Sequence, residues 1–384
     1  MKLAYIAGKK LHRRGDAGPA ETVESRFAQA VRQRTMEMEQ RHSWKTQGRG
    51  AQFMSGGALW GERRTDGAEA PAVIAGVAGF PGSNSLVYSL QTPDISGIFL
   101  VDEGGERRLF HTADFRVGRL SASRDRIAFV LQKASGSSIA MMERDGAGFV
   151  EVTQGDTIDD APSWVPGSSS ELVFHSAGVG RDSAGMVRGW GPAGIQKLNL
   201  ESGEMTTLAE AADADLLSPR MSPDGTLYYI RRPYGSPRAG FVPGRALLDF
   251  VLLPFRILFA LFQYLNFFSA RYTGRTLTSH GAAQREADLR QMMIWGNLLK
   301  AQQTGHGQDD REKGLAPSTW CLMRGAPAGA PETVARGVLC FDLAADGSLL
   351  YSDGASVFQT DSTGASQRLL KDALIEQVAV VGEL

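Results

Sequence analysis

The sequence predicts an all-β protein: a six-bladed β-propeller closed by the C-terminal strand, with two inserted helical segments. Three observations predict it. Short apolar segments alternate with Gly- and Asp-rich turns along the chain. Aromatic residues recur at equivalent places in those segments. The two ends of the chain supply complementary parts of one blade.

Composition sets the frame. The chain has 384 residues, 45 of them Gly, with 42% hydrophobic and 22% charged residues. That length suits two or three domains or one large repeat domain, and the balance is globular and not disordered. The formal net charge of −1 argues against a strongly basic nucleic-acid binder, so no nucleic-acid partner is expected. Two cysteines, Cys321 and Cys340, exclude a disulfide framework and a four-Cys zinc site. Each stands in an apolar, strand-like context and reads as a small buried residue. After Met1–Ile6 come Gly8, Lys9, Lys10, His12, Arg13 and Arg14, which leaves no apolar run of the kind a signal peptide needs. A cytoplasmic protein is therefore expected, peripheral on the inner membrane if its most apolar segment, near 245–270, meets lipid.

The clearest blade start is SPRMSPDGTLYYIRR, residues 218–232. Pro presets φ, Asp bonds back to the backbone and Gly takes positive φ, so the Pro-Asp-Gly step reads as a tight turn between two strands. The same plan recurs at 78–91, 118–132, 161–176 and 340–354. Each copy is a short strand, a polar turn and an apolar strand, with two more strand-like pieces after it. Tyr5, Tyr88, Phe129, Phe174, Tyr229 and Tyr351 align as second-strand positions, with gaps of 83, 41, 45, 55 and 122 residues. A blade of about 40–45 residues fits the middle gaps. The two long gaps place insertions at 26–70 and 234–316.

The organisation expected is thus 1–25, first-blade strands; 26–70, a helical and loop insertion; 71–233, propeller blades; 234–316, inserted amphipathic helices; 317–384, the last blades and closing strand. Residues 1–25 lack a first strand, and 373–381 form an apolar strand with no blade after it. Pairing them closes the ring and removes both open sheet edges.

At SPDGTLYYI and at DDAPSWVPG (159–167) the chain resembles the TolB-type propeller repeat, roughly Asp-x-x-Pro-x-Trp/Phe-Ser-Pro-Asp-Gly before an apolar strand. The match is sharp in the blades led by Ala161 and Ser218 and loose elsewhere. The resemblance implies a six-bladed ring. It implies little about activity, since such propellers serve as binding platforms and as accessory domains of peptidases.

The first insertion opens with a helical pattern over 22–42, in which Phe27, Ala30, Val31 and Met38 can share a face. Packing on the propeller rim is the expected role; Phe27, Val31 and Met38 are the contacts if it binds a partner. The second holds fifteen Leu, Ile, Val or Phe between 247 and 268. On a helix, Asp249, Arg256 and Gln263 share a stripe and Leu and Phe fill the rest. An in-plane amphipathic helix at a lipid surface is the leading expectation. Arg245, Phe250, Phe255, Arg256, Phe259, Phe262, Phe267, Arg271 and Arg275 would be its membrane or partner contacts. Burial against a protein, or against a helix at 281–303, is the second reading. A membrane span is the third, and it would strand the last blade across the bilayer.

No phosphate-binding loop, dinucleotide fingerprint, Gly-x-Ser-x-Gly elbow or His-Glu-x-x-His occurs. The six histidines lack ligand spacing. Asp159, Asp160 and Asp224 lie in strand-connecting turns. They could line a central channel, though Asp in such turns usually caps the backbone. No catalytic residue, cofactor, metal or small-molecule substrate is therefore expected. The leading function is a non-catalytic interaction platform with an unidentified protein partner. The rival is a metal-dependent, lactonase-like propeller hydrolase that uses the central channel.

Overall fold

A computed structural model describes residues 2–15, 18–31, 33, 34, 37, 72–133, 136–183, 185, 187–234, 291–294, 297–300, 314–325, 330–361 and 364–382. Contacts divide the chain into two units. One comprises Met1–Thr35, Glu69–Gly235 and Thr304–Leu384; the other comprises Met36–Ala68 and Ser236–Gln303.

The described part of the first unit is β-structure apart from one short helix. β1 (Lys2–Ala7), β2 (Lys10–Arg14) and β3 (Glu21–Val23) form an antiparallel sheet whose other edge is the last strand, β27 (Ile375–Val381). The register of that pairing runs from Lys2 opposite Val381 to Ala7 opposite Ile375. Next come β4 (Val73–Gly79), β5 (Leu86–Gln91), β6 (Ser96–Asp102) and β7 (Gly105–Thr112). β8 (Arg116–Ala122), β9 (Arg126–Lys133), β10 (Gly136–Glu143) and the short β11 (Val150–Glu151) come after them. They join β12 (Thr157–Trp164), β13 (Glu171–Arg181), β15 (Gly194–Asn199) and β16 (Met205–Ala209) through one parallel bridge, Ser137 to Ile158. A side strand, β14 (Val187–Trp190), extends β13. β17 (Ala214–Met221), β18 (Leu227–Pro233), β21 (Cys321–Gly325) and β22 (Glu332–Arg336) form a further sheet. The last is β23 (Cys340–Leu343), β24 (Leu349–Ser352), β25 (Ser356–Thr360) and β26 (Ser366–Lys371).

Burial explains why strands of this composition sit where they do. Tyr5, Tyr88, Phe129, Phe174, Tyr229 and Tyr351 lie on β1, β5, β9, β13, β18 and β24, each paired with an inner strand (β27, β4, β8, β12, β17 and β23). The runs LAYIA, LVYSL and IAFVL in these strands are buried without a break. A strand covered on both faces reads as continuously apolar. Outer strands such as β16 and β26 are mostly exposed and polar. The core therefore lies between facing sheets. Ile6, Leu11, Val77 and Tyr88 share one cluster, Phe80, Ile98, Leu120 and Phe129 a second, and Leu3, Tyr5, Leu350 and Val378 a third.

The innermost strands touch one another in cyclic order: β27, β4, β8, β12, β17, β23 and β27 again. Gly79 shows how close that approach is. A Cβ there would lie 2.2 Å from the Val380 carbonyl oxygen on β27, so only glycine lets the backbones meet. The Pro-Asp-Gly turn forms as its sequence dictates. Gly225 takes φ +83°, and the Gly225 N–H donates to the Ser222 carbonyl. The same turn recurs at 344–348, with Gly347 also at +83°.

The first insertion departs from expectation at its start. Thr22 and Val23 belong to β3, and the helix begins at residue 26. Ser25 caps it, its Oγ accepting the Ala28 N–H at 3.2 Å. The Glu106 carboxylate on β7 accepts the Arg26 N–H at 2.7 Å and the Ser25 hydroxyl at 3.0 Å. An N-cap and an anion at the first turn satisfy the free amides, and they fasten this helix to the second sheet. In the second unit the helix expected over 281–303 is not what the described residues form. β19 (Gln291–Ile294) and β20 (Asn297–Lys300) pair antiparallel. Only two residues separate the paired ends Ile294 and Asn297, the spacing of a tight hairpin.

Candidate functional site

The inner strands are irregular at matching places. Register shifts interrupt β4 between Ile74 and Gly76, β8 between Val117 and Leu120, β12 between Asp160 and Ser163, and β17 between Leu217 and Arg220. A bulge re-aims the side chains beside it. Ala161 and Ser218, each directly before a proline, take φ +51° and +53°. Left-handed geometry costs a non-glycine residue about 1–3 kcal/mol and tends to gather at functional sites.

The bulged segments bring together Arg119 from β8, Asp160 from β12 and Ser218 from β17. Arg119 Nη1 donates to Ser218 Oγ at 2.9 Å. Burial pushes the Asp160 carboxyl up to about 6; the Arg119 cation and the Ala161 N–H pull the other way, and Asp159 adds to the rise. The Arg119 guanidinium is itself lowered by burial, with Asp160 and then Cys340 opposing. His175, on β13 opposite Asp160, is buried and accepts the Ser218 N–H at Nδ1, 3.4 Å away. Burial, with Arg119 and Arg232 nearby, holds it well below the usual imidazole range and therefore neutral. The Cys340 thiol is pushed up to about 12 by burial, Arg119 opposing. The group thus holds a neutral imidazole and a protonated thiol, neither activated as a nucleophile needs.

A cavity of about 760 Å³ opens where the inner strands run into their turns. Phe80, Leu120, Trp164, Met221, Leu343 and Val380 contribute to its wall. These six come from the ends of, or the turns after, β4, β8, β12, β17, β23 and β27. Arg220 and Asp342 also line it. Arg220 Nε donates to Asp342 Oδ1 at 2.9 Å, and Nη1 donates to the Pro219 carbonyl at 3.0 Å. The other Asp342 oxygen accepts the Val380 N–H at 2.9 Å. Gln377 likewise ties β27 to β4, donating to the Val77 carbonyl at 2.9 Å.

The structure separates the predicted site residues. Asp159 and Asp160 stand within β12, paired with β13, and not in a connecting turn as expected; Asp160 lies beside Arg119. Asp159 is buried next to it in sequence, but its Oδ1 accepts the Ser176 hydroxyl at 2.6 Å. Asp224 stands in the 222–226 turn and accepts the Thr226 N–H at 3.1 Å and the Ser222 hydroxyl. It caps the backbone and does not join the other two. Among the described residues, no three His, Cys, Asp or Glu side chains come together in a way that could hold a metal ion. Phe27 is half-buried against Phe99, ring centroids 5.3 Å apart. It packs on the second sheet as a rim helix would, and Val31 is half-buried too, whereas Ala30 is exposed. Met38, Arg245, Phe250, Phe255, Arg256, Phe259, Phe262, Phe267, Arg271 and Arg275 lie outside the described residues. Among the described residues, no helix is long and apolar enough to cross a membrane.

The sequence assigned no site role to Arg119, Ser218, Arg220 or Asp342, although Ser218 was placed at the head of a blade. Arg220 stands inside the recognised Ser-Pro-Arg stretch, so its position was in view and its partner was not.

No protein-family model matches the chain, and no curated protein does. Solved structures do. A chain of a nidogen/laminin complex is 8% identical, with 100% of this chain and 99% of that one covered and a TM-score of 0.51. TolB from Acinetobacter baumannii is 10% identical, with 98% of this chain and 65% of that one covered and a TM-score of 0.50. An oligogalacturonate lyase with manganese aligns at 13% identity over 60% of this chain and 58% of that one, and its TM-score of 0.35 is too low to carry an argument. The likeness is one of fold alone, and it is to β-propellers.

Proposed function

We propose that the chain is a six-bladed β-propeller completed by its C-terminal strand, working as a non-catalytic interaction platform. The cyclic contacts of the inner strands and the pairing of β27 with β1 support the ring. The observation that carries the binding reading is the funnel. One cavity is bordered by residues from all six inner strands and their turns, and its charged centre, Arg220–Asp342, is locked by the backbone on both sides. Cavities of this size and apolar lining, with a few fixed polar groups, are binding sites. The commitments of Asp159 and Asp224 and the unactivated His175 and Cys340 favour binding over hydrolysis. The 245–270 segment, by its sequence, would hold the platform peripheral to the cytoplasmic face of a membrane, and a protein partner would occupy the funnel.

The test is an affinity pull-down from detergent-solubilised membranes with three full-length baits: wild type, Ala345→Arg and Ser169→Arg. Ala345 and Ser169 are exposed and line the cavity, so each arginine blocks the mouth without entering the core. A partner held by wild type and lost from both variants supports the reading. A partner held equally by all three moves binding elsewhere. Ester or lactone turnover that vanishes in Asp160→Asn replaces the platform with the hydrolase.

A further inference from the structure

We infer that the funnel receives the free C-terminus of a partner polypeptide with apolar last residues, its carboxylate held by Arg220. This rests on the platform reading and names the chemistry of its partner. Arg220 spends Nε on Asp342 and one Nη1 hydrogen on the Pro219 carbonyl. Among the described residues Nη2 has no partner. The guanidinium is thus fixed in plane by two bonds, in the wall of a cavity that mixes apolar side chains such as Phe80, Leu120, Trp164 and Val380 with serines such as Ser121 and Ser163. A planar arginine with spare donors matches a carboxylate better than it matches a single carbonyl.

Charge agrees. The lining cations Arg124, Arg126 and Arg220 are balanced by Asp125, Glu143 and Asp342. Arg126 pairs with Glu143, N to O 3.4 Å. Just outside, Arg144 lies 4.2 Å from the centroid of the Phe80 ring, and Lys2 bonds Asn84 beside Gly382. Near the charged centre Arg119 faces Asp160, and Lys9 pairs with Glu376. Asp224 and Asp346, next in sequence to the lining residues Pro223 and Ala345, offset Arg144 and Lys2, so an entering carboxylate meets no excess of negative charge. A chain end also fits the shape. It can enter head first, whereas a loop must bring two strands through one mouth. Capture of terminal carboxylates is an established mode of peptide recognition.

The experiment uses the full chain and two fluorescein-labelled octapeptide pools, read by fluorescence polarisation. Both pools are randomised among Leu, Phe, Val and Ala at the last three positions. One carries free acids and the other C-terminal amides. The acid pool is expected to bind at least about tenfold more tightly, the scale of one charge-assisted contact. Arg220→Gln should bring the ratio near one, and Arg220→Lys should keep part of it. Ala345→Arg should weaken the acid pool and serves as the second variant if Arg220→Gln does not melt cooperatively. Equal binding of acids and amides, or a ratio unchanged in Arg220→Gln, overturns carboxylate capture and leaves the platform standing. No binding of either pool overturns it as well, and the pull-down above then decides the platform separately. Displacement of the acid pool by dodecanoate as readily as by unlabelled peptide would make this a fatty-acid site and end the polypeptide assignment.

Discussion

Two neighbouring ion pairs, one between β17 and β18 and one from β18 to Asp213 just before β17, should differ several-fold in their contribution to stability. Arg232 Nε bonds Asp215 Oδ2 at 2.9 Å, with side chains 5% and 8% exposed. Arg231 Nη2 bonds Asp213 Oδ2 at 2.8 Å, with side chains 41% and 77% exposed. Distance and chemistry match, and burial does not. Asp215 carries a second duty, its Oδ1 accepting the Ala193 N–H at 3.0 Å. Arg232 also lies over the Trp320 ring, 5.3 Å from its centroid. Asp215→Ala therefore leaves a buried cation without its carboxylate and a buried amide without its acceptor. Losing one partner of a buried pair costs about 3–5 kcal/mol. Asp213→Ala removes a solvated, screened contact worth about 0–1 kcal/mol. Asp215→Asn should fall between, since an amide oxygen can still accept from Ala193. Urea unfolding followed by tryptophan fluorescence measures all three, provided the slopes match so that midpoints report stability. If Asp215→Ala destabilises by no more than about 1 kcal/mol beyond Asp213→Ala, the burial argument is wrong.

Further tests address the ring, the polar cluster and the membrane. Deleting 373–384 removes β27 and opens an apolar edge on β1, so cooperative unfolding should disappear; a truncated chain that melts like the parent would refute the split sheet. Asp160 is raised from 3.8 to about 6 in the folded chain, so the folded state holds its proton over a pH range where the unfolded state has lost it. Stability should therefore fall as pH rises from about 4 to 6, by on the order of 2–3 kcal/mol. Asp160→Asn should flatten that slope, and an unchanged slope would assign the titration elsewhere. Phe259→Asp with Phe262→Asp should release the protein from anionic liposomes at any salt, whereas charge removal at Arg271 and Arg275 should weaken binding chiefly at low salt. A wild-type protein that ignores such liposomes would point the 245–270 segment toward protein.

The features that the sequence alone determined were local. Whether a strand is covered on both faces is written in its own five or six residues. Tyr5, Tyr88, Phe129, Phe174, Tyr229 and Tyr351 could thus be placed on second strands before any pairing was known. The turn at 222–226 was legible because Pro, Asp and Gly each act on their own backbone. Two boundaries were not. The helical pattern from 22 overlapped a strand, because pairing with β2 claims Thr22 and Val23. The helix after them is capped in part by Glu106, which is remote in the chain. The hairpin of β19 and β20 was read as helix because a short apolar run carries both periods. Tertiary structure alone decided the site. Arg119 and Ser218 stand 99 residues apart, and Arg220 and Asp342 stand 122 apart. Each of these side chains is an ordinary polar residue in its own strand. They meet because β8, β12, β17, β23 and β27, far apart in the chain, contact one another in turn. No local spacing encodes that packing, and it joins Arg119 to Ser218 and Arg220 to Asp342 across the sheets.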